Sequence, residues 1–67
     1  MPIARLGHVL KALREENEWT LKDLAKKAKV TQAYISLLER GKKKNPTLAI
    51  LQRLAKALGV SVSELLE

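Results

Sequence analysis

Gln32, Ala33, Ser36, Leu37 and Arg40 are the residues of this chain whose types and spacing could do chemistry together. At about 100° per residue they fall within one arc of about 140° on a helical wheel. Ile35 and Leu38 point the opposite way, toward a core, with Tyr34 at the edge. The arc holds an amide, a hydroxyl, a guanidinium and small side chains, and no acid. That set suits the major groove of DNA: small residues permit close approach, and a glutamine can make two hydrogen bonds to adenine N6 and N7. Arg40 and the lysines after it can meet phosphates, and the helix N-terminus adds a partial positive charge and unpaired backbone N–H groups. The solvent face of an ordinary bundle helix can look the same. Leu37 fits that alternative badly, because an exposed leucine gains nothing from water. It could touch a thymine methyl or a protein partner.

Charge placement bears on the choice. The 67 residues carry a net charge of +6. Between Leu24 and Pro46 lie Lys26, Lys27, Lys29, Arg40, Lys42, Lys43 and Lys44, against the single acid Glu39. The six basic and six acidic residues elsewhere cancel, so the whole excess sits on this stretch. A localised basic patch is the footprint of a polyanion binder; a solvated lysine face that aids solubility is the alternative. Catalysis is not expected. There is no carboxylate pair, Ser/His/Asp set, metal-ligand cluster or glycine-rich phosphate loop, and His8 stands alone. No cofactor, metal or small-molecule ligand is indicated. Without cysteine there is no disulfide or thiolate site. No apolar run approaches the length of a membrane span, and the start MPIARLGHVL lacks a continuous apolar signal region, so a cytoplasmic location is expected.

Positioning the arc requires helices on both sides of it. Ile3, Leu6, Leu10 and Leu13, widened by Val9, predict a first helix over residues 3 to 16. Gly7 within it costs about 1 kcal/mol relative to alanine, which points to close packing. Glu15, Glu16 and Glu18 sit unfavourably for the helix dipole. Trp19 precedes a cap as a hydrophobic staple does. Thr20, with Asp23 three residues on, starts a second helix to about Ala28 whose inner face is Leu21, Leu24, Ala25 and Ala28. Lys29 and Val30 form a turn. Thr31 caps a third helix from Gln32 to about Arg40, stopped by Gly41. Beyond Pro46, Thr47 caps a fourth helix with a buried stripe of Leu48, Leu51, Leu54, Ala55 and Leu58, ended by Gly59. Ser61 and Glu64 box in a final short helix. There Leu65 and Leu66 cannot both face one small core, so Val60, Val62, Leu65 and Leu66 are candidates for a dimer surface. The expected architecture is a single all-α domain over residues 1–67, of five helices with short connections.

Residues 5 to 66 resemble the phage-repressor-like helix-turn-helix domains, the lambda repressor and Cro type also called the Xre family. The resemblance rests on Leu13-Arg14, Leu24-Ala25, Val30-Thr31, the run Ile35-Ser36-Leu37-Leu38-Glu39-Arg40-Gly41, Pro46, and Ala57-Leu58-Gly59-Val60. It covers nearly the whole chain, so a separate effector domain is not expected. It implies a compact five-helix lambda-repressor-like fold, with the helix-turn-helix at the second and third helices and the third as recognition helix. It implies base-facing roles for Thr31, Gln32, Ala33, Ser36 and Leu37. Phosphate contacts fall to Thr20, Lys22, Tyr34, Arg40, Lys42, Lys43, Lys44 and Asn45. Arg14 and Glu39 match an ion pair tying the first helix to the third. The implied function is a sequence-specific regulator of transcription that binds double-stranded DNA, usually as a two-fold homodimer on half-sites about 34–36 Å apart. The alternative is a protein-interaction module on the same fold, a coactivator bridge or the antidote half of a toxin pair. Two positions depart from the family pattern. Leu21 stands where relatives often carry a phosphate-contacting glutamine. Lys29 stands where a left-handed glycine is usual, at a cost on the order of 1 kcal/mol.

Overall fold

The computed structural model describes residues 5–43 and 45–66, and five helices follow one another in it: α1 (Leu6–Glu16), α2 (Leu21–Ala28), α3 (Gln32–Glu39), α4 (Leu48–Leu58) and α5 (Val62–Leu66). Local chemistry sets their starts. The Thr20 hydroxyl accepts the Asp23 N–H at 3.1 Å while the Asp23 carboxylate accepts the Thr20 N–H at 2.8 Å. Ser61 and Glu64 repeat that reciprocal box before α5. Thr31 and Thr47 each accept the N–H three residues on. Every one of these bonds satisfies a donor that the first helical turn leaves unpaired.

The ends of α1 to α4 are built alike. Each stops at a residue of positive φ: Glu18, Lys29, Gly41 and Gly59. The residue after it donates back to a carbonyl five positions earlier, Trp19 to Arg14, Val30 to Ala25, Lys42 to Leu37 and Val60 to Ala55. That is the Schellman closure. It turns the chain sharply enough for consecutive helices to share one core.

That core is Leu6, Leu10, Leu24, Ala25, Ala28, Ile35, Leu38, Leu51, Leu54, Ala55, Leu58 and Leu65, all buried. α2 packs on both α3 and α4, α1 on α3 and α5, and α4 on α5. α1 meets α3 at Gly7, where an added Cβ would lie 2.5 Å from the Leu38 carbonyl oxygen and 2.8 Å from that of Glu39. Backbone cannot give way by that much, so the glycine is what lets the two helices touch.

Three expectations need correcting. The first helix begins at Leu6 rather than at residue 3, and Ile3 lies outside the described residues. Leu48, expected in the buried stripe of α4, is 62% exposed. It is the first residue of its helix, and its Cβ tilts back toward the N-terminus, past the helices that cover Leu51 and Leu54. Leu65, expected at a dimer surface, is 0% exposed. α5 docks against both α1 and α4, which together enclose it. Val60, Val62 and Leu66 are half-buried against the same core.

Candidate nucleic-acid interface

α3 is fixed from beneath and open above. Ile35 and Leu38 are sealed in the core, and Tyr34 packs against it half-buried. On the other side Gln32, Ala33 and Arg40 are exposed, with Ser36 and Leu37 half-buried between them. The arc read from the wheel is one face of one helix. Leu37 is less open than a free-standing leucine, and its backbone carbonyl accepts from both Lys42 and Lys43. Those bonds fold the basic loop back against the end of α3. Lys42, Lys43 and Asn45 are exposed there; Lys44 lies outside the described residues. The Lys43 ammonium sits 5.8 Å from the centroid of the Tyr34 ring, within range of a cation–π contact.

Thr20 and Lys22 are exposed at the start of α2. Leu21 between them is half-buried and turned to the core. Thr20 and Thr31 accept a backbone N–H in their caps, and the Thr31 hydroxyl retains a proton that a phosphate oxygen or base edge could accept. The capping carboxylate of Asp23 is held below the usual carboxylate range. The Thr20 N–H contributes most, then the Thr20 hydroxyl, with Lys27 and Lys22 adding to the effect.

Arg14 and Glu39 meet across α1 and α3. The guanidinium donates from Nε to Glu39 Oε2 at 2.7 Å and from Nη2 to Oε1 at 3.0 Å, and Nη1 donates to the Trp19 carbonyl at 2.8 Å. The two side chains are 12% and 6% exposed. This fork joins α1, the turn before α2 and the end of α3. The Glu39 hydrogen bond holds the Arg14 guanidinium above its ordinary value, against the opposing effect of burial. The pair also turns the one carboxylate of the basic stretch inward. Among the described residues from Leu24 to Pro46, no acid is left on the surface beside the exposed face of α3.

Other contacts, too, were not foreseen. Arg53 Nη1 donates to the Lys29 carbonyl at 3.2 Å, and the Lys27 ammonium lies 4.9 Å from the centroid of the Trp19 ring. Their partners lie 24 and eight residues away along the chain and outside the helix that carries each cation, so no periodicity announces them. Among the described residues no group of His, Asp or Glu side chains could hold a metal ion, and no helix is long and apolar enough to cross a membrane.

Comparison with known proteins bears directly on this geometry. The family model described as Helix-turn-helix, HTH_3, matches residues 10–65. The chain is 37% identical over 62 residues to the HTH-type transcriptional regulator SinR of Bacillus subtilis, covering 92% of this chain and 56% of that protein. It is 47% identical over 63 residues to the HTH-type transcriptional regulator DdrOP3 of Deinococcus deserti, covering 94% and 48%. The chain thus spans about half the length of these two relatives. Among solved structures, SinR in complex with DNA superimposes with a TM-score of 0.89 at 37% identity, covering 92% of this chain and 98% of that one.

Proposed function

The chain belongs to the helix-turn-helix family, and on that premise we propose that it is a transcriptional regulator reading double-stranded DNA with α3 in the major groove. The observation that carries this reading is the acid-free outer face of α3, clamped at its far end by the Arg14–Glu39 fork. Thr31, Gln32, Ala33, Ser36 and Leu37 face the bases. Gln32 supplies the adenine-type hydrogen bonds, and Leu37 supplies apolar contact for a thymine methyl. Thr20, Lys22, Tyr34, Arg40, Lys42, Lys43, Lys44 and Asn45 engage phosphates and set the register. Similarity to SinR, solved with DNA, supports the docking mode.

Residues 1–67 act as one DNA-reading domain, and two copies bind a two-fold site with half-sites about 34–36 Å apart. The surface beside α5 that includes Val60, Val62 and Leu66 is the candidate contact between copies; Leu65, enclosed in the core, is removed from it. The domain works in the cytoplasm. The protein-interaction reading drew on Leu37 and on the apolar C-terminus; Leu37 is half-buried, and Leu65 of that C-terminus is enclosed in the core. Selection of binding sites from random duplexes tests the proposal. A palindromic motif whose half-sites are spaced by about one helical turn is the expected result; failure to enrich any motif overturns it.

A further inference from the structure

A second basic surface lies away from α3. Lys27 and Lys29 from the end of α2, and Arg53 and Lys56 from α4, line a groove of about 430 Å³ whose walls include Ala28 and Ala57. No acid lines it. Two of the four cations are held in position: Lys27 lies over the Trp19 ring, and Arg53 donates to the Lys29 carbonyl. Four like charges around one hollow repel one another, and a multiply charged anion relieves that repulsion. The small side chains of Ala28 and Ala57 let a ligand come close. The volume falls within the range of about 300–1,000 Å³ typical of ligand clefts.

Position separates this groove from the DNA face. α2 packs against both α3 and α4, which have little contact with each other. The groove runs along the α2–α4 seam, and none of the residues lining it belongs to the set assigned to the DNA face. The outer side of α4 supplies a further clue. Leu48, Gln52 and Lys56 succeed one another at four-residue spacing, all exposed, and Leu48 is the one large apolar side chain standing open among the described residues. An apolar contact and a cationic groove thus lie about 12 Å apart on one helix face, by the rise of 1.5 Å per residue.

We propose that this seam docks a carboxylate-rich amphipathic segment of a partner protein, its apolar residues over Leu48 and its acids in the groove of Lys27, Lys29, Arg53 and Lys56. Charge complementarity selects the acidic partner, and the apolar contact at Leu48 favours a peptide over a bare polyanion. The docking does not depend on the DNA reading, because the two faces use different residues.

The test titrates the full chain with a synthetic helical peptide of about 15 residues, with leucines in its first turn and glutamates in its third, following amide shifts and fluorescence anisotropy. Shifts centred on residues 27–29 and 53–57 are expected. Lys56 is exposed, and its side chain forms no hydrogen bond among the described residues. Lys56→Glu should weaken peptide binding about fivefold to tenfold and leave duplex affinity within about twofold; Lys42→Glu should do the reverse. Lys56→Gln should fall between, and guards against a misfolded reversal. Shifts centred on residues 32–43 overturn the proposal. So does unchanged peptide binding in both Lys56 variants, a glutamine-substituted peptide that binds equally well, or parallel loss of duplex binding, which would make the seam a phosphate contact.

Discussion

Lys29 holds a backbone conformation of φ 60° and ψ 44°, where a side chain is crowded by its own carbonyl and glycine is not. Lys29→Gly removes about 1 kcal/mol of strain and gives part of it back through the greater freedom of the unfolded chain. The Lys29 carbonyl that Arg53 binds is backbone and stays in place. The variant should gain about 0.5 kcal/mol, seen as a rise of a few degrees in thermal midpoint; an unchanged or lower midpoint would mean that the side chain contributes more than the strain removes. Gln32 raises the opposite question, because it is exposed and its side chain makes no hydrogen bond among the described residues. Gln32→Ala should leave the thermal midpoint alone. It should weaken binding to a selected site by about 1–3 kcal/mol and relax preference at the base pair it reads. Binding of the variant to selected and scrambled duplexes, measured by anisotropy, separates a base contact from a general loss of affinity.

Between elements, the fork from Arg14 to Glu39 and Trp19 does what no cap can, because it fixes α3 against α1 from a distance of 25 residues in sequence. Breaking a largely buried pair leaves a charge with no partner, so Glu39→Ala should destabilise the fold by about 3 kcal/mol. The double variant Arg14→Met/Glu39→Leu should recover most of that in thermal unfolding; equal losses in both would assign the effect to packing rather than to the stranded charge. The helix starts depend on pH instead. Asp23, with its pKa lowered in the fold, contributes stability above its unfolded value of about 3.9 and loses it as pH falls through the folded value. The difference in midpoint between the wild-type chain and Asp23→Asn should therefore be steady near neutrality and shrink below about pH 4. These caps were legible in the sequence because the partners lie three residues apart, at Thr20–Asp23, Thr31–Tyr34, Thr47–Ile50 and Ser61–Glu64. The buried and open sides of α3 were legible for a like reason, since periodicity within one helix encodes them. Leu48 and Leu65 were misassigned because periodicity gives a direction and not what stands in it: α4 begins before the core does, and α5 is enclosed by two other helices. The Arg14–Glu39 pair came from the family pattern alone, and the Arg53–Lys29 contact from neither.

At the scale of the whole molecule the question is where +6 charges act. Binding DNA releases the counterions of each phosphate neutralised, and the logarithm of affinity falls with the logarithm of salt by about 0.9 per contact. Removing a lysine that meets a phosphate lowers that slope by about one and weakens every sequence alike; removing a lysine elsewhere does neither. Lys42 and Lys43 are exposed beside α3, their backbone tied to the Leu37 carbonyl, so they move with the recognition face rather than apart from it. Lys42→Gln/Lys43→Gln should therefore reduce the salt slope by about 1.8 while the ranking of duplex sequences stays fixed. Lys56 lines the α2–α4 groove and is not among the residues assigned to that face, and Lys56→Gln should leave the slope unchanged. Measuring both slopes between about 50 and 200 mM salt shows whether one side of the domain carries the electrostatics of DNA binding. Equal reductions in the two variants would mean that the positive charge acts as a diffuse field around the whole domain, and the division of its surface into a DNA face and a separate seam would fail.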